Sequence, residues 1–271
     1  MPELPEVEAV CRKLRRDAAS ATISSAHITR RRITGRQDPA TVETMVTGRS
    51  IERIHRRGKN ILIDLSGALT IRIHLRMTGN LHVIPDHRLR PAATSAWFTF
   101  TDGRALLFED TRGLGALTVH DAREIRALDT SLGAEPLSRK FTAQALIGSA
   151  EGLSQPAKLF LMDQRRIAGL GNIYAAEALF AARINPRKPI GRVSKPRLQA
   201  LHAAIVAILR DAVQSAYRAY SRPGAFQEAE DFALAVYGRS GEPCLTCRSI
   251  IRRITQGGRS TYFCPKCQRY N

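Results

Sequence analysis

Four of the five cysteines fall into two closely spaced pairs late in the sequence. Cys244 and Cys247 form the first Cys-x-x-Cys pair, and Cys264 and Cys267 form the second after sixteen intervening residues. Two such pairs can bring four thiolates into tetrahedral contact with Zn²⁺, and four protein ligands leave no coordination position open for catalysis. The spacing therefore predicts one structural zinc ion. A redox pair or two disulfides is the alternative.

The first residues, Met1-Pro2-Glu3, could supply a nucleophile. Once the initiator methionine is removed, as is usual before proline, Pro2 presents a secondary amine that is partly unprotonated at neutral pH. Such an amine can attack the anomeric carbon of a deoxynucleotide and form an iminium ion, which favours loss of the base and then of phosphate. Glu3 could move protons at the sugar. Many sequences begin in this way by chance, so the motif needs support from elsewhere.

A third segment, Asp163–Phe180, combines a glycine-rich turn with the start of a helix. Gly169 and Gly171 lead into Asn172, which is a favourable N-cap residue. The N-terminus of a helix presents free N–H groups and a positive dipole end to phosphate. The turn follows a helix and not a strand, which excludes the dinucleotide-binding fingerprint. The segment therefore predicts either a phosphate-binding turn or an ordinary corner between helices.

Short β-rich stretches follow an N-terminal amphipathic helix. Residues 4–18 carry apolar side chains at helical spacing, with two prolines near their start. From about residue 22 to 120, strand signals alternate with glycine turns, which indicates a β-sandwich or barrel. The predicted strands are 51–57, 61–65, 69–76, 80–84, 96–101 and 104–109.

After about residue 121 the pattern becomes helical. The predicted helices are 142–148, 156–163, 173–182 and 196–217. We expect three domains: a β-sandwich at 1–121, a helical domain at 122–235 and a zinc-dependent hairpin at 236–271, because strand-rich and helix-rich segments pack differently. The last segment carries seven Lys or Arg against Glu242 alone. It is too small to fold on apolar burial without a metal.

The charge of the chain favours a polyanionic partner. Its 271 residues include 42 Lys and Arg against 24 Asp and Glu, a formal net charge of +18. Nucleic acid is the first candidate, and a basic enzyme without such a partner is the alternative. No run of about 18 apolar residues occurs, and the first twenty residues lack a signal-peptide core. We therefore expect a cytoplasmic protein without a membrane partner.

Five motifs together indicate a family. They are Pro2-Glu3-Leu4-Pro5-Glu6-Val7-Glu8, Arg57-Gly58-Lys59-Asn60, His74-Leu75-Arg76-Met77-Thr78-Gly79, the Asp163–Phe180 segment, and the Cys₄ unit with Arg259-Ser260-Thr261-Tyr262-Phe263-Cys264. In this order they resemble the formamidopyrimidine-DNA glycosylases over essentially the whole chain. The form of the first motif resembles this branch of the superfamily and not the endonuclease VIII branch.

The resemblance implies an α+β fold. An N-terminal helix and an antiparallel β-sandwich would precede a helical domain with a helix-two-turns-helix module and a Cys₄ zinc ribbon. It also implies a bifunctional DNA glycosylase and abasic-site lyase of base excision repair, which removes oxidised or ring-opened purines and cuts the strand by β,δ-elimination. The implied partner is double-stranded DNA containing a damaged base, bound by a monomer that associates with the nucleoid.

The resemblance also implies the catalytic residues. Pro2 would be the Schiff-base nucleophile and Glu3 the proton donor at the sugar. Lys59 corresponds to the lysine assigned to β-elimination, and Arg259 to the zinc-finger arginine assigned to δ-elimination. From its residue type and position alone, Arg259 is also suited to phosphate contact.

Five further residues correspond to DNA contacts in the family. Asn172 and Lys158 match residues that hold backbone phosphates near the lesion. Met77 and Arg112 match residues that enter the gap left by the flipped nucleotide. Leu114 stands where the family usually has Phe. It offers a smaller wedge with no ring to stack between base pairs, so we expect a relaxed dependence on the opposite base.

Two other segments depart from the family pattern. Residues 92–95 lack the histidine usually found there as a phosphate contact, and residues 216–224 replace a small-residue stretch that leads into the loop closing over 8-oxoguanine. We expect Tyr217, Arg218 and Tyr220 to stack or hydrogen-bond where relatives use flexible backbone. We then expect strong activity on formamidopyrimidines and hydantoin-like products, with 8-oxoguanine excised less well than by relatives that have the usual loop.

Two other functions remain open at this point. One is a glycosylase for oxidised pyrimidines or hydantoins, and the other is a non-catalytic relative that binds damaged DNA. The presence of Pro2, Glu3 and Lys59 together favours an enzyme, because binding alone does not require them.

Overall fold

A computed structural model of the chain describes residues 2–221, 229 and 231–270. Within these residues the helices are α1 (Leu4–Ala18), α2 (Pro39–Val46), α3 (Ala122–Ser131), α4 (Ala143–Ala150), α5 (Ala157–Met162), α6 (Asn172–Ala181) and α7 (Lys195–Tyr220). The strands are β1 (Ile23–Ile28), β2 (Ile51–Arg57), β3 (Asn60–Leu65), β4 (Leu69–His74), β5 (Gly79–Ile84), β6 (Thr94–Phe100), β7 (Ala105–Asp110), β8 (Ala116–Asp121), β9 (Arg252–Gln256) and β10 (Arg259–Phe263).

Helix α1 buries one apolar face in the core of the N-terminal part of the chain. A capping box closes its start: the backbone N–H of Glu3 donates to Glu6 Oε2 at 2.8 Å, and the Glu3 side chain accepts from the Glu6 N–H. The apolar residues of the predicted helical face are all fully buried: Leu4, Val7, Val10, Cys11 and Leu14. Burial against strands β2 and β5 therefore fixes the helix in place.

In the described N-terminal residues, two four-stranded antiparallel sheets enclose this core. Their strand orders are β1-β6-β7-β5 and β2-β3-β4-β8. Alternate side chains point inward, so that Ile61 and Ile63 of one sheet and Phe98 and Phe100 of the other belong to the same apolar cluster as α1. The predicted N-terminal helix and antiparallel β-sandwich are confirmed.

Some elements differ from those predicted. Strands β1 and β8 were not predicted individually, because several of their side chains are polar and partly exposed. Helix α2 lies inside the region predicted to be β-rich, and the prediction is wrong there. Asp38 accepts a hydrogen bond from the N–H of Thr41 at 3.1 Å, and Pro39 occupies the first turn. Both are helix-start signals that outweigh the β-rich composition around them.

The chain divides into two compact units. One consists of Met1–Ser131 with Ala216–Glu230, and the other of Leu132–Ser215 with Asp231–Asn271. The second unit contains α4, α5, α6, most of α7 and the β9–β10 hairpin, which agrees with the expected fold class. The three-domain division at 121 and 235 stays a prediction. No helix among the described residues has the length and apolar content needed to cross a membrane.

Candidate functional site

The residues at the start of α1 are buried. Pro2 is buried, Glu3 is 2% exposed and Glu6 is fully buried. Besides the N–H of Glu3, the Glu6 carboxylate accepts a hydrogen bond through Oε1 from the N–H of Ala229 at 3.3 Å. The backbone next to Pro2 is therefore held by a buried carboxylate. The sequence signal for this contact is the Glu3-x-x-Glu6 spacing of a capping box, which the sequence analysis did not use.

Arg56 connects α1 to the turn that carries Lys59. Its Nε donates to Glu8 Oε2 at 3.3 Å, and its Nη1 donates to the carbonyl oxygen of Gly58 at 2.9 Å. Lys59 follows directly and is only 7% exposed. One guanidinium thus bridges α1, which follows Pro2, and the turn of Lys59. Sequence reasoning missed Arg56, because nothing in a local pattern shows which distant carboxylate an arginine will meet.

His74 lies at the end of β4, opposite Asn60 in the pairing of β3 with β4. Burial lowers the pKa of His74 to about 4, with smaller contributions from the nearby positive charges of Arg76, Lys59 and Arg72. The imidazole is therefore neutral at neutral pH. Its Nδ1 accepts a hydrogen bond from the N–H of Arg76 at 3.0 Å, so Nε2 carries the ring proton and can donate it.

The three predicted gap-filling side chains lie on two adjacent loops. Met77 is in the turn between β4 and β5 and is 44% exposed. Arg112 and Leu114 are in the loop between β7 and β8, where Arg112 is exposed and Leu114 half-buried. Strands β5 and β7 pair with Gly79 opposite Asp110, which brings the two loops side by side. The structure thus brings together side chains that lie more than 30 residues apart in sequence.

The end of α7 packs into the sandwich core. The helix continues through Tyr220, beyond its predicted end at residue 217. Tyr220 is 6% exposed, and its hydroxyl donates to Asn80 Oδ1 at 3.0 Å. Tyr217 packs against the same core. The expectation that Tyr220 replaces a flexible loop cap is therefore wrong, because burial in the core occupies its side chain. The same expectation for the partly buried Tyr217 and for Arg218 stays a prediction. Residues 222–227 of the altered segment lie outside the described residues.

A pocket of about 540 Å³ on the first unit is lined by arginines. The charged lining residues are Arg30, Arg88 and Arg90. Arg30 Nη1 donates to the carbonyl oxygen of Asp110 at 2.8 Å, which connects the pocket to the loop of Arg112. Ala92 and Thr94, from the stretch without the expected histidine, also line it. Guanidinium groups around a concave surface are suited to phosphate. Sequence reasoning missed this pocket.

In the second unit, Gln164 shapes the turn between α5 and α6. Its Nε2 donates to the carbonyl oxygen of Leu170 at 2.7 Å, and its Oε1 accepts from the N–H of Gly169 at 2.8 Å. Gly169 has φ +87°, a conformation that favours glycine. The N-cap of α6 is Gly171 and Asn172 is the first helical residue, so the prediction of Asn172 as the N-cap is wrong by one position.

Lys158 and Asn172 both bind the start of β10. The carbonyl oxygen of Ser260 accepts hydrogen bonds from Lys158 Nζ at 3.0 Å and from Asn172 Nδ2 at 3.1 Å. Lys158 Nζ also donates to Thr261 Oγ1 at 2.9 Å, and the lysine is only 1% exposed. Arg259 precedes Ser260 and is exposed. These contacts fix the backbone beside Arg259.

Glu177 of α6 anchors the segment that leads into the cysteine-rich part of the chain. It is 4% exposed, and its carboxylate accepts three backbone N–H groups, from Ala235 at 2.8 Å, Val236 at 3.0 Å and Tyr237 at 2.8 Å. Hydrogen bonds of this kind compensate a carboxylate for its lost hydration.

The four paired cysteines converge on one point. Their sulfur atoms lie within 4.8 Å of one another, and Cys244 and Cys264 are fully buried. The Sγ–Sγ distances are 3.4 Å for Cys247–Cys264 and 3.9 Å for Cys244–Cys267. A disulfide would require about 2.05 Å, whereas four thiolates at about 2.3 Å from a tetrahedral Zn²⁺ lie about 3.8 Å apart. The donor set fits one structural zinc ion.

The zinc-binding segment packs on α6 through a small apolar cluster. Ala176 of the helix meets Val236 and Ile251 together with the buried cysteines. The β9–β10 hairpin of the same segment presents three exposed arginines: Arg252, Arg253 and Arg259. The zinc site thus supports a basic surface that the apolar cluster alone is too small to hold.

Family models match three parts of the chain. The N-terminal domain of formamidopyrimidine-DNA glycosylase matches residues 1–117, and the H2TH domain of the same enzyme matches residues 132–221. A zinc finger found in FPG and IleRS matches residues 241–269. The chain belongs to the formamidopyrimidine-DNA glycosylase family. It is accordingly a zinc-finger DNA glycosylase of base excision repair.

Relatives in this family align with the chain from end to end. The formamidopyrimidine-DNA glycosylase of Chloroflexus aurantiacus is 39% identical over 275 residues, which cover 99% of this chain and 98% of the relative. A Lactococcus lactis FPG mutant in complex with a Fapy-dG containing DNA is 30% identical with a TM-score of 0.90, covering 99% and 100% of the two chains. The L. lactis enzyme bound to an AP site containing DNA is 29% identical with a TM-score of 0.88, covering 98% and 99%.

Removing one zinc ligand should unfold the hairpin and leave the sandwich intact. We expect Cys247→Ser to lower the zinc content from one ion per chain to nearly none, because a structural site requires all four thiolates. Metal analysis and amide hydrogen exchange of β9 and β10 would measure this. The control is Cys11→Ala, which replaces the cysteine in the sandwich core; this variant should retain one zinc ion per chain. A Cys247→Ser protein with one bound zinc and a protected hairpin would contradict the assignment.

Proposed function

We propose that the chain excises oxidised or ring-opened purines from duplex DNA and then cuts the strand by β,δ-elimination. The observation that carries the proposal is the link through Arg56 between α1, the helix that follows Pro2, and the turn of Lys59. The bound DNAs of the two L. lactis structures also support it, since one contains a ring-opened purine and the other an AP site. The formal charge of +18 suits a DNA partner.

In the proposed reaction, the Pro2 nitrogen attacks C1′ of the damaged nucleotide. The bond from C1′ to the base breaks as the base takes up a proton, and the attached nitrogen loses its own proton. The nitrogen lone pair then forms the iminium ion as the C1′–O4′ bond breaks and O4′ takes up a proton, which opens the sugar ring. Loss of a proton from C2′ then expels the 3′ phosphate, which is the β-elimination. Loss of a proton from C4′ then expels the 5′ phosphate, which is the δ-elimination. A secondary amine suits this sequence, because its iminium keeps a positive charge and draws electrons from the sugar.

The other catalytic assignments follow the resemblance. Glu3 donates the proton at the sugar, Lys59 serves the β-elimination and Arg259 the δ-elimination. Lys59 is buried beside a neutral His74 and the positive charge of Arg76, an arrangement that favours an anionic group nearby. Arg259 is exposed and its backbone is fixed through Ser260, so its guanidinium can reach a phosphate.

The DNA contacts divide into gap filling and phosphate binding. Met77, Arg112 and Leu114 would enter the space left by the extruded nucleotide, and the exposure of Met77 and Arg112 on adjacent loops supports this. Asn172 would hold a backbone phosphate at the start of α6. For Lys158, the contacts to β10 favour support of the phosphate-binding surface over direct contact, because its buried ammonium would have to leave two hydrogen-bond partners. The arginine-lined pocket offers a further phosphate site.

A covalent trap tests the nucleophile. Borohydride should reduce the iminium to a stable protein–DNA adduct on duplex with an abasic site or a lesion, and mass analysis should place the link on Pro2. Lys59→Met should still be trapped but cut the strand at least about tenfold more slowly, since only proton transfer is impaired. Full adduct yield from Pro2→Gly with the link on a lysine would overturn the role of Pro2. No excision at all by the wild-type protein would favour a non-catalytic DNA-binding relative.

The salt dependence of DNA binding separates the two roles open to Lys158. We expect Lys158→Met to lower the free energy of unfolding of the second unit by about 2 kcal/mol, since the Ser260 carbonyl and the Thr261 hydroxyl lose the ammonium that donates to them. The slope of log K against log salt should stay unchanged. Arg259→Ala is the matched control and should reduce the slope by about one unit. A similar reduction for Lys158→Met would establish a direct phosphate contact instead.

Opposite-base discrimination tests the proposed role of Leu114. We expect the wild-type protein to excise a lesion opposite each of the four bases with rates within about tenfold. Leu114→Phe should favour cytosine by a further factor of about five or more, because an aromatic ring stacks between base pairs. Single-turnover excision on matched duplexes measures both. A strong cytosine preference in the wild type that Leu114→Phe leaves unchanged would remove this role.

A further inference from the structure

Asp110 is a fully buried carboxylate at the end of β7. Its Oδ2 accepts the N–H of Gly115 at 2.6 Å, and its Oδ1 accepts the N–H of Arg112 at 3.2 Å. Its own carbonyl oxygen accepts the N–H of Gly113 at 3.2 Å. The loop that carries Arg112 and Leu114 is therefore wrapped around a single side chain.

The same carboxylate also binds the neighbouring loop. The hydroxyl of Thr78 donates to Asp110 Oδ1 at 2.5 Å and accepts the N–H of Arg112 at 3.3 Å. Thr78 directly follows Met77 in the turn between β4 and β5. Within the described residues, this threonine connects the Met77 turn to the Arg112 loop through side-chain hydrogen bonds.

The backbone around this junction is tightly packed. A Cβ on Gly115 would lie 2.4 Å from Phe108 Cζ and 3.0 Å from Asp110 Oδ2. A Cβ on Gly79 would lie 2.4 Å from the carbonyl oxygen of Leu75. Both glycines thus allow approaches that another residue would prevent. The two loops meet in a closely packed arrangement and not as independent surface turns.

We propose that Thr78 and Asp110 are positioning residues that hold Met77, Arg112 and Leu114 as one preorganised unit, so that the three side chains enter the DNA together. The inference rests on the proposed gap-filling role of these side chains. Neither positioning residue needs to touch DNA. The contribution is entropic: loops fixed in advance lose less freedom when the nucleotide is extruded.

The substitution Thr78→Val tests the junction with little risk to folding. Valine has nearly the shape of threonine and Thr78 is exposed, but the two hydroxyl hydrogen bonds disappear. We expect single-turnover excision of a formamidopyrimidine opposite cytosine to slow about tenfold, in line with the loss of a hydrogen bond to a charged group. Thr111→Val, an exposed threonine of the Arg112 loop, is the matched control and should stay within about twofold of wild type.

A double-mutant cycle separates positioning from general damage. If Thr78 acts by placing Met77 and its neighbours, Thr78→Val should slow single-turnover excision by less than about twofold in a protein that already carries Met77→Ala. The inference would be overturned if Thr78→Val lowered the excision rate equally with and without Met77→Ala. It would also be overturned if Met77→Ala lowered the rate and Thr78→Val alone did not. Met77→Ala excising at the wild-type rate would overturn the gap-filling role and the inference with it.

A measurement without DNA completes the test. Amide hydrogen exchange at Arg112 and Gly115 should be faster in Thr78→Val than in Thr111→Val, because the hydroxyl supports both the carboxylate and the Arg112 N–H. Unchanged exchange would refute the junction whatever the catalytic result. Failure of the proposed function itself would appear separately, as absence of excision by the wild-type protein.

Discussion

Asp110 and Glu177 are carboxylates almost entirely removed from water, and each is surrounded by N–H groups of a single loop. A buried carboxylate is tolerated only when such donors replace its hydration. Each of these two side chains therefore dictates a loop conformation: any rearrangement that withdraws the donors would leave a charge stranded in the interior. Glu6 does the same for the start of α1. These two loops and the start of α1 are therefore held in place, because moving their N–H groups away would leave a buried carboxylate without hydrogen bonds.

In the second unit, a cation has the corresponding role. Lys158 is buried against Ser260 and Thr261, and the zinc ligands lie in the same segment of chain as these partners. The hairpin is thus held twice, by thiolates at one end and by an ammonium and an amide at the other. Without these contacts, repulsion between the Lys and Arg side chains of this segment would destabilise the hairpin. The combination explains how exposed arginines can be held in place on only five-residue strands.

Features that depend on local pattern were predictable. The α1 face, most sandwich strands and the cysteine spacing follow from periodicity or motif, and the structure confirms them. Features that depend on distant partners were not. Arg56 and Asp110 are single charged residues whose partners lie elsewhere in the sequence. Tyr220 lies at the end of α7, and no sequence pattern indicated that its side chain packs in the sandwich core. The proposed role of Lys59 comes from the resemblance alone, whereas that of Pro2 comes from the chemistry of its secondary amine together with the resemblance, since no periodicity indicates either.

Tyr220 has a consequence for the order in which the protein is made. The sandwich core includes this side chain, so it is incomplete on the ribosome until residue 220 has been added. The zinc ligands follow 24 to 47 residues later, between Cys244 and Cys267. At roughly 5 to 20 residues per second, this interval lasts about 1 to 9 seconds. During that time the nascent chain contains all the described residues of the sandwich core, with the proposed nucleophile at its start, but no hairpin with which to hold a phosphate backbone.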